Sequence, residues 1–333
     1  MAQSFRSIFL VVLLVSQSFL CISCKKDGNP LLDEGSQNTI AFENPRPVNI
    51  QGYSGDAMEP FISRDGKILF FNNFNGEMTP NGGENDTDIH FAERIDDTSF
   101  QYKGKVFGAS TNEIPNNNEL EAVPSSDKNG NIYFIRTLDY LNAQSPDYLS
   151  SIFMGVYALG SITNIKSLPN LKMDRPMGES PMAGELNFDA EIHYEGKQLY
   201  FAEGIFSGNP LPDKADIGIA NENNGIFEVD PDSRNLFAEV NTDALEYAPS
   251  ISTDNLELYF TRGIGSLQTG FDFGIYTATR KFESEPWSNV KRIDNITGEF
   301  LEAPSISFDG KLLYYHQKIG DVFMIYMTQR KEP

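Results

Sequence analysis

EAPSISFDGKLLYY, residues Glu302 to Tyr315, is the stretch on which the fold turns. An acidic residue precedes a proline, an alternating apolar run follows, a turn at Asp309-Gly310 reverses the chain, and an aromatic strand completes it. Four earlier segments repeat this order: EPFISRDGKILFF at Glu59 to Phe71, EAVPSSDKNGNIYF at Glu121 to Phe134, DAEIHYEGKQLYF at Asp189 to Phe201, and EYAPSISTDNLELYF at Glu246 to Phe260. Pro60, Pro124, Ala190, Pro249 and Pro304 each lie six residues before Gly66, Gly130, Gly196, Asn255 and Gly310. Those turn residues stand 64, 66, 59 and 55 residues apart. Self-similarity at a fixed period signals a propeller, solenoid or array before any other architecture.

Each copy contains its own hairpin. The turns supply residues that tolerate positive φ, and the strands that follow carry bulky residues on both faces, as strands sandwiched between neighbours must. A third strand is predicted after a variable loop, near Ile89, Ile152, Ile217, Ile275 and Ile325. Fainter fourth strands are predicted around residues 105–107, 162–168, 236–240 and 287–293. Four antiparallel strands make one propeller blade. The last copy has no room for a fourth strand before Pro333, so Pro47 to Ile50 is expected to supply it. The predicted fold is therefore all-β, a single five-bladed β-propeller over residues 44–333, closed by its N-terminal strand.

Residues 1–23 read as a signal peptide: Arg6, then an apolar run from Ile8 to Leu20, too short for a membrane-spanning helix. Leu20-Cys21-Ile22-Ser23-Cys24 resembles a bacterial lipobox, with Cys24 as the lipidated first residue of the mature chain. Residues 24–43 are polar and aperiodic and are expected to act as a flexible tether. The implied location is the outer membrane of a diderm bacterium, facing the periplasm or the surface. Removing residues 1–23 takes away one arginine and no acid, which moves the formal net charge from −21 to −22. With no clustered Lys or Arg, nucleic acid is excluded as an expected partner. Both cysteines lie at or before position 24, so the body of the chain must be held by burial.

The P-S-x-S-x-D-G-K-x-x-Y-[FY] pattern resembles the repeat of the TolB-type, WD-like propeller family, over nearly all of residues 44–333. That resemblance implies a β-propeller of the bacterial envelope. It leaves function open, since the family spans assembly proteins, glycan-associated lipoproteins and domains appended to peptidases. The extra N-terminal α/β domain of TolB itself is absent, and so is a peptidase domain.

Two sets of residues are candidates for binding. An acid precedes the motif proline or alanine by one to three positions in every copy: Glu59, Glu121, Asp189, Glu246 and Glu302. They could ring one mouth of the central channel, or each could bond backbone amides of the adjacent blade. Aromatic residues on the unequal loops after the second strand form the other set: Phe74, Tyr140, Tyr148, Phe206 and Phe271. Such rings suit a glycan surface or pin their own loops. The leading reading is a monomeric, lipid-anchored binding module for a glycan or an envelope protein, with no cofactor. One alternative is a carbohydrate-active hydrolase or lyase using carboxylates at the same mouth. Another is a structural subunit of an envelope assembly. Asn81 to Asp88 has the composition of a calcium loop without EF-hand spacing, and His90, His193 and His316 fall at unrelated repeat positions, so no metal is expected.

Overall fold

The computed structural model describes residues 40–74, 87–108, 119–138, 152–169, 171–173, 184–207 and 211–331. Two short strands lead: β1 (Phe42–Pro47) and β2 (Asn49–Gln51). The first repeat unit then contributes β3 (Met58–Ile62), β4 (Ile68–Asn72), β5 (Ile89–Arg94) and β6 (Ser99–Lys105). The second contributes β7 (Glu119–Ser126), β8 (Asn131–Leu138), β9 (Ile152–Ala158) and β10 (Ser161–Ser167). The third contributes β11 (Glu185–Ile192), β12 (Gln198–Ile205), β13 (Lys214–Asn223) and β14 (Ile226–Val229), followed by a one-turn helix α1 (Ser233–Leu236). The fourth contributes β15 (Leu245–Ile251), β16 (Glu257–Ser266), β17 (Gly270–Thr279) and β18 (Ser288–Arg292), and the fifth β19 (Glu299–Ile306), β20 (Leu312–Ile319) and β21 (Val322–Arg330). Within each unit consecutive strands pair antiparallel.

The motif turns adopt the backbone their residues predict. Gly66, Gly130, Gly196, Asn255 and Gly310 all have φ between 60° and 80°. In three units the turn is locked by an arginine at the end of the third strand. Arg94 donates to the carbonyl of Gly66, Arg280 to that of Asn255 and Arg330 to that of Gly310.

Packing runs between units. Leu69, Phe71 and Phe100 of the first unit cluster with Tyr314, Ile325 and Met327 of the fifth. Phe70 and Ile89 cluster with Ile132 and Phe134, and Tyr133 and Ile135 with Leu199 and Phe201. Tyr200 and Ile219 meet Leu258 and Phe260, and Tyr259 and Ile275 meet Leu313 and Tyr315. Each second strand is thus buried on both faces, which explains its unbroken apolar run. At roughly 1.5–3 kcal/mol for each fully buried large apolar side chain, these interfaces supply most of the cohesion.

Two expected strands lie elsewhere than predicted. β1 pairs antiparallel with β21 from Phe42↔Arg330 to Pro47↔Tyr326, so the outer position beside the fifth unit belongs to residues 42–47. Asn49–Gln51 instead run parallel to β6 in the first unit. The fourth strand of the third unit is Ile226–Val229, because Asn224 and Gly225, at φ 53° and 85°, close a tight hairpin right after β13. The apolar run 236–240 is not a strand: Leu236, Phe237 and Val240 pack from α1 and the following turn onto Trp287. β10 and β18 fall within one residue of expectation, whereas β6 precedes the expected 105–107 and shares only Lys105 with it.

Candidate functional site

The first strand of every unit carries a bulge at one position, the residue just before the motif proline or alanine. Glu59, Val123, Asp189, Ala248 and Ala303 there have φ between 49° and 52°, and the strand register shifts across each of them. A non-glycine residue in this conformation costs roughly 1 kcal/mol or more and persists only where its surroundings enforce it. The enforcement is visible in the amides. Glu59 N–H donates to His316 Nδ1 at 3.0 Å, Val123 N–H to Asn72 Oδ1 at 3.3 Å, and Ala303 N–H to Thr261 Oγ1 at 2.9 Å. Asn72, Thr261 and His316 occupy one register position, opposite Met58, Tyr247 and Glu302 on the first strand of their own unit. In the third unit that position is Ala202, which has no acceptor, and Asp189 Oδ2 takes the Ala248 N–H at 3.0 Å. Each of these bonds joins one unit to the next, and the one from Glu59 joins the first unit to the fifth.

The bulge residues face the channel. All of them, with Pro60, Pro124, Ala190, Pro249 and Pro304, line a throat of about 20 Å³. Arg64 lies beside the throat: it donates to Ser126 O and Ile192 O and pairs with Glu191, a residue of the throat lining, at 3.0 Å. On the other side the throat opens into a cavity of about 510 Å³. Glu59, Asp189 and Glu302 all line this cavity, together with Tyr247, Asn72, Lys318 and Asp321. A second cavity, of about 340 Å³, lies beside Arg64 between the first three units.

The acids that precede the motif are therefore not equivalent. Glu59 and Asp189 sit on the bulge, Glu302 one residue earlier, and Glu121 and Glu246 two residues earlier. That offset decides their fate. Glu246 is fully buried and accepts from Thr242 N–H, the Thr242 hydroxyl and Arg262 Nε, the last at 2.7 Å. Glu121 is 1% exposed and stands cross-strand from Arg136, as Glu246 does from Arg262. Neither lines the large cavity. A ring of five acids at one mouth is corrected to three converging carboxyls and two built into the interior.

The three that converge have unlike surroundings. Glu302 accepts a hydrogen bond from the Tyr247 hydroxyl on one oxygen, and its other oxygen lies 3.1 Å from His316 Nε2. A backbone amide can only donate, so His316 Nδ1 must accept from Glu59 N–H. The ring proton therefore sits on Nε2 and points at Glu302. Burial drives the Tyr247 hydroxyl well above its ordinary pKa, and the Glu302 carboxylate pushes the same way, so it remains a donor. Burial likewise raises Glu59 to about 7; the Glu302 charge adds to this, against His316 and a hydrogen bond from Asn72. Asp189 is also raised, first by burial and then by the charge of Glu59, with the Ala248 amide opposing. Carboxyls crowded together in one cavity cannot all ionise.

Of the loop aromatics, Phe74 lies on the rim of the cavity and Phe206 is buried in its wall, edge-on to Phe188 at 5.6 Å. Phe271 is not part of the lining; it stacks on Phe273 at 5.5 Å. Cys24, Tyr140 and Tyr148 lie outside the described residues. His90 and His193 do not line the cavity: His90 Nδ1 meets the Tyr102 hydroxyl at 2.8 Å and His193 Nε2 meets Thr253 O at 3.0 Å. Among the described residues no group of His, Cys, Asp and Glu is arranged to hold a metal. Sequence reasoning missed Tyr247, Asn72 and the site role of His316. The available signal was register: counted back across the Asp309-Gly310 turn with one bulge, His316 falls opposite Glu302.

No family model matches this sequence, and no curated protein matches it. Solved structures do. The chain superposes on a protein described as a glycoside hydrolase with a TM-score of 0.58 and 10% identity, covering 88% of this chain and 93% of that one. It is similar to a family 117 glycoside hydrolase produced by the marine bacterium Zobellia galactanivorans, with TM-score 0.54, 11% identity, and 87% and 90% of the two chains covered. An endo-arabinase from Bacteroides thetaiotaomicron aligns with TM-score 0.50 and 13% identity, over 86% and 99%. At such identities the likeness is one of fold, and the fold is an all-β propeller.

Proposed function

We propose that this protein is a carbohydrate-active hydrolase built on a five-bladed ring, closed by its N-terminal strand and acting through Glu59 and Glu302. One observation carries the reading: three carboxyls in unlike surroundings, Asp189 and Glu302 buried and Glu59 half-buried, share one cavity of about 510 Å³. Binding alone needs only a shallow aromatic face. Glycoside hydrolysis needs a protonated carboxyl beside an ionised one, with environments that hold their proton affinities apart. The glycoside hydrolases among proteins of similar fold support the same choice over a plain binding module.

In this mechanism Glu59, its pKa raised to about 7, gives its proton to the glycosidic oxygen as the bond to the anomeric carbon breaks. Glu302, held by Tyr247 and by His316 Nε2–H, faces the positive charge that develops on the sugar ring, as nucleophile or as base toward water. Asp189 holds the Ala248 amide, and its own raised proton affinity, from burial and from the Glu59 charge, keeps it from adding a further negative charge to the pocket. The pairing of β1 with β21 and the hydrogen bond from the Glu59 N–H to His316 Nδ1 support ring closure. Membership of the TolB-type family, lipidation at Cys24 and attachment to the outer membrane of a diderm bacterium belong to the same proposal.

The test is turnover of a panel of nitrophenyl glycosides and polysaccharides by the purified protein, with Glu59→Gln and Glu302→Gln beside it. Each variant is expected to lose at least about a hundredfold in kcat with folding intact. Undiminished rates in both folded variants, or no turnover of any substrate by the parent, would overturn the assignment.

A further inference from the structure

One wall of the cavity is aromatic and runs directly into the carboxyl site. Phe323 stands edge-on to His316 at 5.6 Å, the residue that holds Glu302. On its other side Phe323 meets Phe74 at 5.3 Å and Phe300 at 6.1 Å. These rings come from the first and fifth units, so the platform spans the junction of the two. Phe74 and Phe300 line the cavity but remain 47% and 39% exposed, and Leu267 from the fourth unit is 50% exposed beside them. Side chains of this size left in water at the mouth of a preformed cavity mark a surface meant to be covered.

The remaining groups limit what covers it. Lys318 is the only basic side chain in the lining among the described residues, against Glu59, Asp189, Glu302 and Asp321. A uronate, sulfate or phosphate group placed there would face like charge with one cation to offset it. A single neutral sugar seated at the carboxyls does not also cover the platform, and an apolar group on the other side of the glycosidic bond would bury more of its area than a second hydroxyl-rich ring.

From this we infer that the cavity takes an uncharged sugar joined to an apolar aglycone, with the aglycone lying on Phe74, Phe300 and Phe323 and the glycosidic oxygen at Glu59. The aglycone is a flat ring or an alkyl chain; both are apolar groups that the platform would bury. The inference rests on the hydrolase reading for where the glycosidic oxygen lies, and its binding half is testable without turnover.

The experiment is calorimetric titration of the purified full chain with methyl, phenyl and octyl glycosides of one neutral sugar, the octyl compound kept below its micelle concentration. Phenyl or octyl glycoside is expected to bind at least about tenfold more tightly than methyl glycoside, from the apolar area removed from water. A preference for phenyl alone identifies a ring-bearing aglycone, and a preference for octyl alone an alkyl one. In F74A/F300A the ratio is expected to fall below about threefold, with the melting temperature confirming the fold; Phe74→Ala alone moves it in the same direction. Equal binding of all three compounds, no binding of any, or a ratio unchanged in the folded double variant overturns the inference. Glu59→Gln separates the two proposals. If turnover never occurs yet the preference stands, the hydrolase reading fails and the apolar site survives; if Glu59→Gln abolishes turnover while aglycones are not distinguished, the reverse holds.

Discussion

His316 joins Glu302 to the backbone of Glu59: its Nε2 lies 3.1 Å from the Glu302 carboxylate while its Nδ1 accepts the Glu59 amide at 3.0 Å. One imidazole thus fixes a carboxylate on the fifth unit and the strained bulge of the first. The same register position holds Asn72 in the first unit and Thr261 in the fourth, each of which accepts the bulge amide of the neighbouring unit.

The two duties of His316 separate by substitution. His316→Ala orphans the part-buried Glu59 amide and one oxygen of Glu302, and is expected to lower stability by about 2 kcal/mol in urea unfolding. His316→Asn places an amide oxygen where Asn72 has one, so most of that stability is expected to return. Activity is not, because the Nε2–H to Glu302 is still missing. Recovery of both together in His316→Asn would contradict the dual role.

Proton binding at Glu59 predicts that stability and activity decline together as pH rises. Its pKa is raised from 4.5 to about 7 in the folded chain, so the folded state binds the proton more tightly than the unfolded state. The resulting stabilisation is complete below about pH 4.5 and is lost as pH rises through about 7. The same deprotonation removes the acid, so kcat/KM is expected to decline above about pH 7. Denaturant midpoints between pH 4.5 and 8 in the parent and in Glu59→Gln check the first point, and the variant should show the flatter profile.

Glu246 is expected to behave as structure. It is fully buried with Arg262 at 2.7 Å, and removing one member of such a pair costs about 3–5 kcal/mol. Glu246→Ala should therefore lower the unfolding midpoint sharply, while the fraction that remains folded keeps the parent turnover rate. Loss of turnover in a folded Glu246→Ala protein would return it to the site.

Phe42 tests the contribution of the N-terminal strand. The ring is 2% exposed, edge-on to Tyr259 at 5.9 Å, with the Arg330 guanidinium 5.4 Å from its centroid. Phe42→Ala is expected to destabilise by about 3–5 kcal/mol. Deuterium exchange should accelerate first along β21, whose outer edge β1 covers. Uniform acceleration across all units would instead argue for a global effect.

The repeat was legible because its determinants are local. A glycine or asparagine at positive φ, an alternating first strand and a doubly buried aromatic second strand are each written in a few adjacent residues, as Asp309-Gly310 and Leu312 to Tyr315 show. The N-terminal pairing was legible only in kind. Phe42 to Pro47 carry little alternation, and their place beside β21 depends on contacts with Tyr259 and Tyr326, more than two hundred residues away. The hairpin at Asn224-Gly225 did have a local signal, but the apolar run at Leu236 to Val240 outweighed it, and those side chains are buried under Trp287 without forming a strand.

By itself the sequence determined an all-β repeat whose strands and turns recur in step, because period-two alternation and turn chemistry act over a few residues. It could not determine which acids meet. Glu59 and Asp189 precede the motif proline or alanine by one residue, Glu302 by two, Glu121 and Glu246 by three, and a strand displaced by one residue presents the opposite face. The tertiary structure made that choice by placing a bulge at one position in every unit and bonding the exposed amide to the next unit wherever an acceptor stood ready. Local rules wrote the strands; contact between units turned three of their acids into a site.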